Sequence, residues 1–297
     1  VTRLVFVHGR AQQDKDAAEL KQEWIAALRR GLAKSGRQLP LPDDHIRFPY
    51  YGDTLRDLAT DRAGVAGVVV RGAAVPAEEA TFVRMVLQEV RKEAGISDGQ
   101  IVAEADAADR VAVERGPQNW PWVVAVLRAL DKHVPGTSAP SIAAFTHDVY
   151  RYLRNIGIRD RIETGVRAAF TAGEPTVVVG HSLGSVVAYN LLCRDGEREG
   201  WNVPLFVTLG SPLAVTAIKR QLSPVRHPAC AARWFNASDP RDIVALHPLA
   251  APYFPATPPV ENKTDVENPT ANRHGISGYL EDAEVARRIH NGLTGKP

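Results

Sequence analysis

Cysteine is almost missing from these 297 residues, with only Cys193 and Cys230 present. Two thiols make no disulfide framework, and neither sits in a Cys-x-x-Cys or Cys/His spacing of the kind that holds zinc, so both read as free. Long apolar runs are missing too: none approaches the roughly 18 residues that a membrane-crossing helix needs. Nor is there an excess of either charge. Thirty-six Lys and Arg stand against 34 Asp and Glu, a formal +2, which gives no electrostatic reason to expect nucleic acid or an anionic surface as a partner. The sequence opens at Val1 without a Met or a readable signal-peptide pattern, and the default expectation is a cytoplasmic protein.

What is present is enough apolar material, 44% of residues, for one α/β domain over residues 1–297 carrying an inserted cap. Its organising stretch is Thr176–Asn190, TVVVGHSLGSVVAYN. Thr176 to Val179 is a continuous β-branched run, the pattern of a buried strand in a parallel sheet. Val186, Val187, Ala188, Leu191 and Leu192 follow at helical spacing. Between them Gly180, Ser182 and Gly184 form Gly-x-Ser-x-Gly at a strand-to-helix turn. Such a turn strains the serine backbone and points its Oγ away from the sheet, and a Cβ at either glycine would collide with the neighbouring strand or helix. Ser182 is therefore the candidate nucleophile. Ser211, in Gly210-Ser211-Pro212, also follows a strand but lacks the second glycine.

Arg3–His8 forms another apolar strand, ending in His8-Gly9-Arg10. A strand that tips into such a turn can aim a backbone N–H beyond the carboxyl edge of an open sheet. The expected oxyanion donors are the amides of Arg10 and Leu183, with Gly9 giving clearance. An amphipathic helix follows from Asp14 to about Lys34, with Leu20, Trp24, Ala27, Leu28 and Leu32 on one face, and a third strand is expected at His45–Tyr51. From Thr54 to Gly173 the periodicity is helical: Glu78–Ala94, Ile101–Val113, Trp120–His133, and Ile142–Phe170 with a break near Gly157. This predicts a helical cap-like insertion, residues 54–173, over the site. Trp120, Trp122, Tyr150 and Tyr152 are candidates to line an apolar pocket or, equally, to pack between the helices.

Strands at Val203–Leu209 and Arg233–Asn236, with an edge strand within Val260–Asn268, complete a mainly parallel sheet of about six. The loop after Asn236 holds two carboxylates. An acid here, after the serine and before a histidine, follows the chain order Ser, Asp, His. Asp242, backed by Ile243 and Val244, is preferred; Asp239 precedes Pro240 and reads as a turn former. Asp53 lies before Ser182 and reads as a cap. Of nine histidines, His274, in a loop ahead of a final helix at Glu281–His290, is the expected base. His181, His247 and His290 read as a turn residue, a loop residue and a helix C-terminal cation.

On these residues the chain resembles the lipase and carboxylesterase side of the α/β-hydrolase superfamily. Gly180-His181-Ser182-Leu183-Gly184 is similar to the lipase-type elbow, Asp242-Ile243-Val244 to the acid loop, and His274 followed by Tyr279-Leu280 to the histidine loop. The resemblance covers the sheet strands and both ends of the chain. The insertion matches no lid motif, and the two strands that usually lead the fold are missing. The resemblance implies two-step acyl transfer on a small-molecule ester or lipid-like acyl substrate through Ser182, His274 and Asp242, with no metal or cofactor. Two other functions fit the same residues: an acyltransferase or thioesterase using the triad, and a binding domain that keeps the fold without the chemistry.

Overall fold

The apolar runs form parallel strands because both of their faces are covered, so successive side chains on opposite sides of the pleat are equally buried. In the computed structural model, which describes residues 2–9, 16–52 and 76–296, the chain begins with β1 (Arg3–Val7), α1 (Ala17–Ala33) and β2 (Ile46–Arg47). Among the described residues six helices follow: α2 (Ala77–Glu93), α3 (Asp98–Ala103), α4 (Arg110–Glu114), α5 (Trp120–His133), α6 (Ala139–Arg154) and α7 (Ile156–Arg167). The remainder runs β3 (Thr176–His181), α8 (Leu183–Asp195), β4 (Phe206–Leu209), α9 (Thr216–Gln221), β5 (Trp234–Ala237), β6 (Glu261–Lys263), α10 (Ile276–Leu280) and α11 (Ala283–Thr294).

The six strands make one parallel sheet in the order β2-β1-β3-β4-β5-β6. The chain steps outward from β1 to β2, then returns past β1 to β3, so the direction of winding reverses between β1 and β3. In open parallel sheets the crevice beyond the carboxyl ends at such a reversal is where ligands bind. The pairings Val7 with Gly180, and His181 with Leu209, end these strands level with one another. His8-Gly9, Ser182 and Gly210 therefore share one rim.

Alternation along the strands divides the interior. Leu4, Phe6, Val177 and Val179 pack with α1 and α11, while Val5, Val7 and Val178 pack with α8 and the helical insertion. Helix α1 forms where its periodicity predicts, starting at Asp16, whose carboxylate accepts the amides of Ala18 and Glu19. It buries Leu20, Trp24, Leu28 and Leu32.

The insertion, α2–α7, is helical throughout its described part; residues 54–75 of the predicted span, with Asp53 and Arg10, lie outside the described residues. Two of its boundaries differ from the periodicity. Ile101–Val113 is two short helices, because Arg128 of α5 donates to the Glu104 carbonyl and the Asp106 carboxylate and holds a turn between them. The later break falls at Asn155, which ends α6 and whose side chain caps α7 by accepting the Ile158 amide. Strand β2 is shorter than expected. Pro49 has no N–H to give a ladder, and Tyr51 turns inward, its amide donating to His8 Nε2 at 3.1 Å. Trp122 and Tyr152 belong to the core, and Tyr152 donates to Glu163 at 2.7 Å. Among the described residues no helix is long and apolar enough to cross a membrane. Cys193 and Cys230 are free and half-buried.

Candidate active site

Ser182 stands between β3 and α8 at φ 54° and ψ −128°. This is a costly conformation for a residue with a Cβ, of order 1–3 kcal/mol, and persists only where the surroundings enforce it. Close packing provides the enforcement. A Cβ on Gly184 would lie 2.1 Å from the Val7 carbonyl oxygen, and one on Gly180 would lie 2.8 Å from Ser185 Cα. Gly9 meets the serine from β1, where an added Cβ would lie 2.8 Å from Ser182 Cβ. All three glycines singled out in the sequence are thus at points of backbone contact around the turn. Beneath it, Ser185 Oγ donates to the Ser182 carbonyl at 2.6 Å and lies 2.7 Å from Ser211 Oγ. Ser211 also meets the Leu213 amide; its hydroxyl serves the turn.

Three chain-distant side chains meet at the rim. His274 Nε2 is 2.8 Å from Ser182 Oγ, and His274 Nδ1 is 2.7 Å from Asp242 Oδ2. Asp242 has no exposed side-chain surface. Its Oδ2 also accepts the Tyr279 hydroxyl at 2.6 Å, and its Oδ1 accepts the Val244 amide at 2.9 Å. Burial works against the ionised carboxyl. The charge and hydrogen bond of His274, with the Tyr279 and Val244 donors, nevertheless hold it below the usual carboxylate range. Asp239 is the turn former: its Oδ1 accepts the Arg241 amide at 2.7 Å and its Oδ2 the Asn268 amide at 2.8 Å.

Two residues that the sequence reading left without a role support this arrangement. Tyr279 bridges the loops, donating to Asp242 and accepting the Asp239 amide at 3.2 Å. Burial and the Asp242 charge push its phenol well above the ordinary value, so it stays a donor. His181 Nε2–H donates to the His274 carbonyl at 2.8 Å, fixing the backbone of the loop that carries the imidazole. Burial first, and the neighbouring His274 second, push His181 down to about 3, which keeps its ring neutral. A polar residue inside an apolar turn was the available signal for His181; for Tyr279 it was an aromatic just after the histidine loop.

Leu183 opens α8, so its amide has no partner carbonyl within the helix and lies at the positive end of the helix dipole. The second expected donor, Arg10, falls outside the described residues.

A cavity of about 420 Å³ opens onto Ser182 and His274. Its lining includes Val86 and Val90 of α2, Phe145 of α6, and the polar residues Ser138, Ser141 and Asn272. Trp24 of α1 and Phe145 of α6 line the cavity, whereas Trp120, Trp122, Tyr150 and Tyr152 follow the other of their two readings and pack in or against the core. His247, expected as a plain loop residue, is buried against Glu89 at 2.7 Å. Chemically, an imidazole between a hydroxyl and a buried carboxylate can take a proton from the hydroxyl and hold the resulting positive charge. Compared with known proteins, the chain matches no family model, no characterised protein and no solved structure at a significant level.

Proposed function

We propose that this chain is a serine hydrolase of the α/β-hydrolase type that cleaves carboxylic esters through an acyl-enzyme. One observation carries the reading: the unbroken hydrogen-bonded line from Asp242 through His274 to Ser182, ending on a strained serine at the mouth of a largely apolar cavity. The reversed winding of the sheet at β1 and β3 and the resemblance of the three loops to lipase motifs support it.

In this mechanism His274 Nε2 takes the proton from Ser182 Oγ as the oxygen attacks the ester carbonyl. Asp242, bonded to Nδ1, selects the tautomer that leaves Nε2 free to accept, and stabilises the imidazolium once it forms. The amides of Leu183 and Arg10 are assigned to the tetrahedral oxyanion, where losing one donor costs about 3 kcal/mol. The imidazolium then protonates the departing alcohol oxygen. Water, deprotonated by His274, attacks the acyl carbon, and the collapse of the second tetrahedral intermediate returns the Ser182 hydroxyl. Protons and bonds balance within the triad and one water, so no cofactor takes part in any step.

The test is hydrolysis of p-nitrophenyl esters together with labelling by a fluorophosphonate, which reacts only with an activated serine. Ser182→Ala is expected to lower kcat on the order of a million-fold and to abolish labelling. Full turnover by that variant would refute the assignment.

A further inference from the structure

Part of the apolar lining of the cavity comes from three separate stretches: Val86 and Val90 of α2, Val215 just before α9, and Ile243 with Val244 in the loop after β5. One carboxylate ties all three together. Glu89 lies between the two valines of α2. Its Oε1 accepts His247 Nε2–H at 2.7 Å, and its Oε2 accepts the Thr216 amide at 2.9 Å. Thr216 directly follows Val215, and His247 closes the loop that carries Ile243 and Val244. The Glu89 and His247 side chains are only 15% and 6% exposed, and Tyr253 stacks on the His247 ring at 4.0 Å. Glu89 itself does not line the cavity.

Apolar contact has no direction and would let α2 slide across its neighbours. A buried carboxylate with two donors allows one seating, because moving away strands an amide, an imidazole and a charge with little water to replace the bonds. We propose that Glu89 is a positioning residue that determines specificity: by tying α2 to Thr216 and His247 it sets the spacing of Val86 and Val90 from Val215, Ile243 and Val244 in the cavity, and so how well a long aliphatic acyl chain is accepted relative to a short one. The proposal rests on the hydrolase reading of Ser182.

The test measures kcat and KM for p-nitrophenyl butanoate and dodecanoate in the full chain, in Glu89→Ala, Glu89→Gln and His247→Ala, and in the double alanine variant. The rate of Ser182 labelling by a small fluorophosphonate is followed alongside. Glu89→Ala and His247→Ala are expected to raise the dodecanoate-to-butanoate ratio of kcat/KM about tenfold, through a lower KM for the long ester, with labelling unchanged. Glu89→Gln keeps one acceptor oxygen, for one of the two donors, and should shift the ratio by less than Glu89→Ala. The double variant should go no further than Glu89→Ala, since both changes break one tie. If Glu89→Ala fails to fold, the His247→Ala ratio decides. An unchanged ratio with normal labelling overturns the proposal, as does a parallel loss of both ester activities and of labelling. An unlabelled parent chain would defeat the hydrolase reading and this inference with it.

Discussion

At the rim of the sheet almost every polar atom around Asp242 has a partner, whereas the helices of the insertion are joined to the sheet chiefly by apolar side chains with a few polar ties. Asp242 receives three donors from three places in the chain: His274, Tyr279 and the Val244 amide. Helix α5 instead buries Trp122, Val123, Val126 and Leu130, each worth roughly 1.5–3 kcal/mol of burial without fixing an angle. Hydrogen bonds specify direction and apolar packing specifies contact. The rim can thus hold its side chains to a fraction of an ångström while the insertion supplies part of the cavity wall.

The comparison breaks most sharply at the two carboxylates of one loop. Asp242→Asn removes the charge facing His274 and should lower kcat about 10⁴-fold. Asp239→Asn, whose partners are the Arg241 and Asn268 amides and the Arg241 guanidinium, should cost about 2 kcal/mol of stability and less than about tenfold in kcat, because it touches neither His274 nor Ser182. Ester kinetics with thermal melts separates the two, and equal rate losses would show that the acid has been misassigned.

A second expectation concerns acid. Burial, partly offset by the hydrogen bond to the Gly9 carbonyl, holds His8 down to about 4, and His181 sits at about 3, both below the 6.5 of a free imidazole. His8 Nε2 already accepts the Tyr51 amide, so a proton there would face a donor. Unfolded imidazoles bind protons more readily than these two, so their contribution is complete above pH 6.5 and is lost as pH falls toward 4 and 3. At pH 5 the loss should be roughly 2 kcal/mol for each, about 4 together. Urea unfolding at pH 7.5 and at pH 5 measures this, and equal midpoints would contradict it.

The smallest effect belongs to the insertion. Glu163 of α7 accepts Tyr152 at 2.7 Å and Asn190 of α8 at 3.0 Å, and pairs with Arg194. Glu163→Ala should cost about 2–3 kcal/mol of stability and leave kcat unchanged. A parallel fall in kcat would mean that the insertion helps to set the rim geometry and would erase the distinction between the two regions.

Local signals were strong wherever one stretch of chain decides its own structure. The β-branched run of β3, the two glycines flanking Ser182 and the helical spacing after it describe a strand, a turn and a helix within fifteen residues, with nothing distant required. Asn155 and Pro49 show the limit. Each changed an element boundary through a cap or a missing N–H that competes with periodicity and is outvoted or not by its neighbours.

The sequence by itself determined the parallel sheet, the helical insertion and the order in which a serine, an acid and a histidine occur, because these follow from side-chain periodicity and short-range backbone sterics. Only the tertiary structure decided that Tyr279 supports Asp242, that His181 holds the carbonyl of His274, and that Glu89 of the insertion meets His247 across 158 positions of chain. Those bonds depend on distance and angle between segments that are independent until the core has packed, and no local pattern encodes such angles.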